Sequence, residues 1–358
     1  MEHQHAPAAI THAFDVTRFG AKGDGATDDT AAIQRAIDAA GEVSGAVWFP
    51  AGLYQTSRLR MRSTVSLVAH PSWSYHRVGN AVLRLCDPQA PCLLDLTGSI
   101  GARVSGMSLD GGTLGEHIAG IYLDGLGHKE EETLCIENTR VAHFTGDDIT
   151  LLNVWAYTVR HCMLIFNGGN GITITRWDGF LYHNIINNCR GYGLAMLSPN
   201  GASSIIGHRI EWNDKGGIYI EYGGHYHIND CYFDYNGGPA LHIHGTPARR
   251  AGTFAVTGNL FNRNGAKADP DSLRSAHCLY EYVDGLVMTG NTLRAGVNDG
   301  GGGPLTPGHG IVCEGLRSSI LRDNVLHAGA TRELVVDRGG HDAQTIIRDN
   351  IGTLAEVP

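Results

Sequence analysis

Acidic side chains recur at matching positions along the second half of the sequence, and their type suits the cleavage of glycosidic bonds. That chemistry uses a carboxylic acid that protonates the leaving oxygen and a carboxylate that attacks the sugar or activates water. The candidate catalytic acids are Glu221, Glu281 and Glu314, with Asp147 and Asp148 as a reserve pair.

Histidines and other polar residues accompany these acids. Imidazoles move protons near neutral pH, hydrogen-bond to hydroxyls and bind metal ions, and tyrosine rings stack on sugars. The candidate substrate-binding residues are His242, His244, His277, His309, Tyr219, Lys215, Asp214 and Arg332. Because no compact metal-ligand spacing is present, we expect no metal site and no cofactor.

A repeat of about 23 residues predicts how these side chains are positioned. Consecutive segments begin at Ala156, Gly179, Ala202 and His225, and each contains short alternating apolar runs between Gly-rich or Asn-rich turns. Period-two alternation in short runs predicts strands, and their fixed repetition predicts a solenoid. The predicted fold is all-β, a single-stranded parallel β-helix with a short capping α-helix at its N-terminal end.

The register of the repeat predicts which side chains share a face. One interior file is expected to contain Ile149, Ile172, Leu194, Ile218 and Leu241. A turn file is expected to contain Asn138, Cys162, His208, Cys231, Asn259, Asn291 and Asn324. One outer file is expected to contain Thr150, Thr173, Tyr219, His242 and Val312, and the file beside it Leu152, Thr175, Leu197, Glu221, His244, Glu281, Glu314 and Asp337.

Stacking of acids at the usual strand spacing of about 4.8 Å predicts that at least one of their pKa values is raised. Glu281 and Glu314 on adjacent coils would suit the roughly 5 Å separation of retaining glycosidases. Glu221 and Glu281, one coil further apart, would suit the roughly 9 Å separation of inverting enzymes. An ordinary solvated sheet face is the alternative interpretation.

Two coils carry about ten extra residues each, between Asn264 and His277 and between Gly296 and His309. Insertions into a solenoid become loops on one side, which is often the binding side. We therefore expect these insertions to form walls beside a cleft.

The N-terminal segment carries a resemblance to a known family. FGAKGDGATDDTAAIQRAI followed by VWFPAGLY resembles the opening of the pectate-lyase-like superfamily, and its Ala31, Ile33, Ala36 and Ile37 recur at helical spacing. The resemblance implies a right-handed parallel β-helix and a glycan substrate. Gly146-Asp147-Asp148-Ile149 resembles one motif of the polygalacturonases, although the aspartate and histidine expected on the neighbouring coils are absent.

The favoured hypothesis is a glycoside hydrolase or transglycosylase, including a fructotransferase-like enzyme. The first alternative is a polysaccharide lyase or epimerase acting on a uronate, for which Lys215, Arg332 and the histidines are suitable and Ca²⁺ is an expected cofactor. The second alternative is a non-catalytic, glycan-binding or tailspike-like solenoid.

Charge and composition limit the partners. A net charge of -9 disfavours nucleic acid, and no apolar run is long enough to span a membrane. We expect an oligosaccharide or polysaccharide partner and a homotrimer. The start lacks a signal pattern, which fits a cytoplasmic protein or a secreted one without its leader.

Residues 1–13 are expected to be a flexible terminus and 14–358 one domain, with a cap at 14–53 and regular coils over about 100–350. The eight cysteines are expected to be free thiols, with a bridge between Cys86 and Cys92 as the alternative.

Overall fold

The computed structural model describes residues 13–125, 131–265, 267–299, 304–305 and 307–356. The expected flexible terminus, apart from residue 13, and much of the second insertion lie outside these ranges. The described chain winds into stacked coils whose equivalent strands pair in parallel along three faces, so the predicted parallel β-helix is confirmed. The domain boundaries stay a prediction.

The strands fall into three columns. The first face contains Leu59–Arg60, Cys92–Asp95, Ala119–Asp124, Gly216–Glu221, Leu241–His244, Ala276–Glu281, His309–Glu314 and Glu333–Asp337. The second face contains Ala13–Asp15, Ala46–Trp48, Ser66–Val68, Arg103–Ser105, Cys135–Glu137, Gly224–Asn229, Ala251–Thr257, Val283–Thr289, Ile320–Arg322 and Ile346–Arg348. Three long strands run through both of these faces: Ile149–Arg160, Ile172–Tyr182 and Tyr192–Ile206.

The third face forms a separate sheet. It contains Asp24–Asp28, Gly52–Thr56, Ala81–Leu85, Ser108–Asp110, Arg140–Ala142, Met163–Ile165, Ile185–Asn187, Arg209–Glu211, Tyr232–Asp234, Leu260–Asn262, Thr292–Arg294, Val325–His327 and Ile351–Gly352. Outside the three faces, Gly296–Val297 and Pro304–Leu305 pair as a short antiparallel hairpin in the second insertion.

The core is the stack of inward-facing side chains. The predicted interior file is confirmed, because Ile149, Ile172, Leu194, Ile218 and Leu241 pair in succession and all are fully buried. Burying one such side chain stabilises the fold by roughly 1.5–3 kcal/mol. The buried side chains therefore fix the register of the first face. Because side chains alternate along a strand, the same register positions the outward-facing side chains.

The asparagine file is partly confirmed. Buried amides link Asn259, Asn291 and Asn324 through Nδ2 to Oδ1 hydrogen bonds of 3.0 and 2.9 Å. Placing Asn138 in this file was wrong, because Arg140 pairs with Met163 and so aligns residue 139, not 138, with Cys162. A parallel ladder at another turn joins Asn213 to Asn236 and Asn236 to Asn264, at 3.0 and 2.7 Å.

The capping α-helix spans Thr30–Gly41 and is the only α-helix among the described residues. It buries Ile33, Ala36 and Ile37 as predicted, whereas Ala31 is exposed and Ala32 takes its place in the core. This face covers the first coil, whose apolar interior would otherwise meet water.

All eight cysteines are free, and Cys86 and Cys92 do not bridge. Within the described ranges, no helix has the length and apolar character needed to cross a membrane.

Candidate functional site

Two groups of polar side chains lie on the outer surface of the first face. The first, which we call the ridge, consists of Tyr219, His242, His244 and Glu281. His242 and His244 alternate on one strand and so point to the same side. Tyr219 pairs with His242 on one neighbouring coil, and His244 pairs with Glu281 on the other, as the sequence predicted.

The ridge is held together by one carboxylate oxygen. Oε2 of Glu281 lies 2.8 Å from Nε2 of His242 and 2.8 Å from Nδ1 of His244. The ring of Tyr219 meets the edge of the His242 ring, with centroids 5.1 Å apart. Burial lowers the pKa of His242 and raises the pKa of Tyr219 to about 12.

The expectation of a raised acid among the stacked glutamates was wrong for Glu281 and Glu314. Although burial opposes the shift, the hydrogen bonds from His242 and His244 lower the pKa of Glu281 to about 2. Glu314 pairs with Glu281, but the Tyr282 hydroxyl at 2.7 Å and the Arg338 guanidinium at 3.0 Å lower its pKa as well. Partners outside the file therefore outweigh the repulsion within it.

The predicted positions of two other acids in this outer file had different outcomes. Asp337 pairs with Cys313, so placing it beside Glu314 was wrong by one residue. Glu221 lies beside His244 as predicted, and its Oε2 accepts a hydrogen bond from the Ser198 backbone at 3.3 Å. Catalytic roles for these acids stay a prediction.

Two arginines flank the ridge. Arg249 stacks over the Tyr222 ring at 4.6 Å, and that ring lies 5.4 Å from His244. On the other side, Arg274 donates to the Tyr192 hydroxyl at 3.3 Å, and Tyr192 stacks on Tyr219 with ring centroids 5.1 Å apart. The carboxylate of Glu281 therefore lies between two flanking guanidinium groups.

The first insertion lies beside the turn that leads into this face, and its role as a wall stays a prediction. Arg274 and Lys267 of this insertion reach back to Tyr192 and Asp214 on earlier coils. The second insertion packs elsewhere: Val297 accepts a hydrogen bond of 3.0 Å from Arg263, beside the third face. Its residues 300–303 and 306 lie outside the described ranges, so the predicted wall is not established there.

The second group, which we call the cleft, lies nearer the N-terminal end of the same face. Arg58, His117, Tyr122 and Asp147 line a hollow of about 490 Å³. Asp147 is fixed there by the Asn170 backbone N–H at 2.7 Å and by the hydroxyls of Thr150 and Thr173. Burial, followed by the nearby carboxylates of Asp124 and Asp95, raises the pKa of Tyr122.

The cleft and the ridge share one outer file. Pairing runs from Tyr122 through Thr150, Thr173 and Ala195 to Tyr219, which is four coil steps. At about 4.8 Å for each step the two tyrosines lie roughly 19 Å apart along the helix axis. A single extended chain on this face would contact both groups.

Asp148 cannot act with Asp147 as a solvent-facing pair. It is fully buried, and burial followed by repulsion from Asp147 raises its pKa well above the ordinary value. The reserve pair was therefore wrong for Asp148, because the corner of the coil directs its side chain inward while Asp147 faces the cleft.

His277 and His309 do not lie on the open surface that the sequence predicted. His277 is fully buried, and burial lowers its pKa to about 3. His309 begins a strand and is 6% exposed. Both follow an insertion, as expected, but His277 is enclosed by the coil and His309 is largely covered.

The remaining predicted contacts lie at exposed turns. Asp214 forms an ion pair with Lys267 at 3.1 Å, and Arg332 forms one with Asp271. Lys215 is exposed at the turn before Gly216–Glu221. The structure brings none of these three to the ridge cluster, and their binding roles stay a prediction.

Two groups of side chains can each offer three converging metal ligands, among the residues described. They are His242, His244 and Glu281, and Cys313, Asp337 and His341. In the second group His341 already accepts a hydrogen bond from the Leu316 N–H and contacts Asp337 at 2.8 Å. Register across coils creates the first group, which is why ligand spacing along the sequence did not indicate it.

Comparison with known proteins agrees with this architecture. The family described as rhamnogalacturonase A/epimerase, pectate lyase-like, matches residues 13–74, and the right-handed β-helix region family matches residues 196–353. The A-module of mannuronan C-5 epimerase AlgE6 from Azotobacter vinelandii superposes with a TM-score of 0.71 at 20% identity, covering 93% of this chain and 98% of that one. The chain therefore has the right-handed β-helix fold, and its N-terminal segment is similar to the pectate-lyase-like family.

Two curated relatives match this β-helix protein over short segments. Mannuronan C5-epimerase AlgE3 of A. vinelandii is 62% identical over 45 residues, which are 12% of this chain and 2% of that protein. Alginate lyase 7 of A. vinelandii is 58% identical over 45 residues, which are 12% of this chain and 5% of that protein. The matched segments thus span a small part of either relative. The fold is one used by carbohydrate-active proteins.

The sequence reasoning missed several residues of these two groups. Tyr122 could have been found by extending the outer file one coil upstream of Thr150. Arg58 and His117 lie outside the regular repeat, and Arg249 and Arg274 lie in loops, so periodicity gave no signal for them.

Proposed function

We propose that the protein is a polysaccharide lyase or epimerase that acts on a uronate-containing glycan lying along the first face. The observation that carries this proposal is the cleft, where a guanidinium, an imidazole, a phenol and a fixed carboxylate line one hollow of about 490 Å³. These are the groups needed to remove a proton beside a sugar carboxylate. Short matches to a mannuronan C5-epimerase and an alginate lyase support the same class.

Each cleft residue has a role in this proposal. Arg58 pairs with the carboxylate of the uronate and stabilises the charge that develops on it. His117, which is exposed at the hollow, removes the proton from C5. Tyr122 is a phenol whose pKa, ordinarily about 10, is raised further by burial, so it is protonated at neutral pH and acts as the proton donor.

The two reactions share their first step. The C5–H bond breaks, and the electron pair moves toward the carboxylate. In elimination a C4–C5 double bond forms, the C4–O bond breaks, and the Tyr122 hydroxyl protonates the leaving oxygen. In epimerisation the hydroxyl returns a proton to the opposite face of C5. Asp147 binds a sugar hydroxyl and so fixes the ring between the two groups.

A product analysis across substrate classes tests the proposal. The purified protein is incubated separately with polymannuronate, polygalacturonate, a neutral glucan and a fructan, with and without Ca²⁺. We expect unsaturated products absorbing in the near ultraviolet, or C5-inverted residues by NMR, from a polyuronate only. Arg58→Ala should abolish this product, while Arg60→Ala, two residues further along the chain, should retain it. Saturated fragments from a neutral glycan would overturn the proposal in favour of hydrolysis.

The homotrimer and the Ca²⁺ dependence expected from the sequence stay predictions.

A further inference from the structure

The ridge brings two imidazole nitrogens and one carboxylate oxygen to the same place. A carboxylate oxygen has two lone pairs, so it can face two imidazole nitrogens at once. Here both His242 and His244 approach the same oxygen, Oε2 of Glu281, at 2.8 Å each. The ligand atoms of the three residues all lie within 4.8 Å of one another. Three atoms therefore converge on one point.

We propose that His242, His244 and Glu281 bind a divalent metal ion that prefers imidazole ligands, such as Zn²⁺. Two imidazole nitrogens and one carboxylate oxygen form a ligand set that zinc and its first-row neighbours favour, whereas Ca²⁺ and Mg²⁺ prefer oxygen ligands. At zinc bond lengths of about 2.0–2.1 Å, tetrahedral ligands lie roughly 3.4 Å apart. The two 2.8 Å contacts need to open by only about half an ångström.

The strands hold these ligands in place without the ion. His242 and His244 lie on one strand, Glu281 lies on the next coil, and fully buried Ile243 and Tyr280 lock the two strands in register. Such preorganisation reduces the ordering that metal binding requires.

Three protein ligands leave a coordination position open, as in catalytic zinc sites. His244 and Glu281 are partly exposed, so this position faces the outer surface between the two flanking arginines. Resting on the proposed function, we assign to this position a carboxylate or hydroxyl oxygen of the glycan, about four coils from the cleft. The ion would anchor the chain at that distance from the reacting sugar.

Direct metal binding tests the site without any substrate. The chelator-treated protein is dialysed against Zn²⁺ or Ca²⁺, and bound metal is counted by mass spectrometry. We expect one tightly bound Zn²⁺ per chain, no Ca²⁺ at this site, and a rise in Tm with Zn²⁺. His242→Ala, His244→Ala and Glu281→Gln should each weaken Zn²⁺ binding by at least tenfold.

The control is His183→Ala, which removes one ring of the stacked His161 and His183 pair at the turn that follows the second face. This variant should bind Zn²⁺ like the wild type. Binding that is lost in the control and kept in the three ridge variants would show adventitious binding to surface imidazoles and overturn the site. Absence of Zn²⁺ binding in the folded wild type would overturn it too. Neither result depends on turnover, so failure of this site and failure of the proposed reaction are distinguishable.

Discussion

The cleft and the ridge lie on one outer file of one sheet, yet their construction differs. The cleft surrounds an open hollow with four unlike side chains, drawn from the sheet, the turn carrying Asp147 and the segments carrying Arg58 and His117. The ridge uses alternating positions on three adjacent strands, and its side chains contact one another directly. An open hollow suits a reacting sugar, whereas converging ligands suit a fixed anchor. The difference indicates a division of labour, in which the cleft carries out the reaction and the ridge holds another part of the same bound chain.

Removing the imidazole from the cleft is expected to have the largest effect. His117→Ala should lower kcat on a polyuronate by about 10²–10⁴-fold, because a positioned general base contributes that much. Tyr219→Phe, which removes only a hydroxyl at the ridge, should leave kcat within a few-fold of wild type. Steady-state kinetics on both variants checks this contrast. Equal losses in the two would contradict the division of labour.

Breaking the amide ladder should destabilise the coils beneath the ridge. Asn236→Ala removes a buried amide that joins Asn213 to Asn264, and it leaves the Asn213 backbone N–H without its acceptor. We expect the free energy of unfolding to fall by about 1–3 kcal/mol. Chemical denaturation measures the change, and Gln89→Ala at an exposed turn is the control. A loss equal to that of the control would show that the ladder adds nothing.

Acid should weaken the coil that leads into the cleft. Asp110 accepts from Arg84 at 2.9 Å and from the Gly112 N–H at 2.9 Å, just before the segment carrying His117. Although burial opposes the shift, hydrogen bonds from His143, Gly112 and Arg84 lower the pKa of Asp110. Its stabilisation is therefore full above the unfolded pKa of about 3.9 and is lost as pH falls toward the folded pKa.

The matching variant is Asp110→Asn. This substitution should lower the free energy of unfolding by about 1–3 kcal/mol at neutral pH. Because the variant has no carboxylate to protonate at this position, its Tm should fall less steeply than that of the wild type between about pH 5 and pH 2. Parallel Tm curves for variant and wild type would show that this carboxylate is not the group responsible.

The smallest effect is expected at a flanking cation. Arg249→Ala should raise KM for a polyuronate by about two- to fivefold, because partly exposed charge pairs contribute roughly 0.2–1 kcal/mol. Added salt should reduce the difference between variant and wild type. A KM that is unchanged at low salt would place the substrate away from the ridge.

Much of this fold could be predicted from the sequence, because apolar residues that recur about every 23 positions are the ones that face inward on successive coils. Ile218 and Leu241 are both apolar because both face the core. Their alignment also predicted that Glu221, His244 and Glu281 lie on one outer face. Prediction failed where the chain leaves that phase. Asp148 and His277 turn inward at a corner, Asp337 shifts by one residue, and Arg274 reaches the ridge from an insertion.

The pKa expectation failed for a different reason. Stacking alone predicts repulsion between Glu281 and Glu314, but Tyr282 and Arg338 approach Glu314 from beside the file. Such lateral partners depend on turn geometry, which the repeat does not encode. The same holds for the cleft, whose Arg58 and His117 come from outside the regular period.

The proposed reaction depends on breaking one bond, between C5 of a uronate and its hydrogen. Incubating wild type and His117→Ala with a polyuronate in D₂O, then examining the sugar residues by NMR and mass spectrometry, tests this directly. We predict C5 deuteration or C4–C5 unsaturation with the wild type and neither with the variant. Shortened, saturated chains that retain every C5 hydrogen would contradict the account.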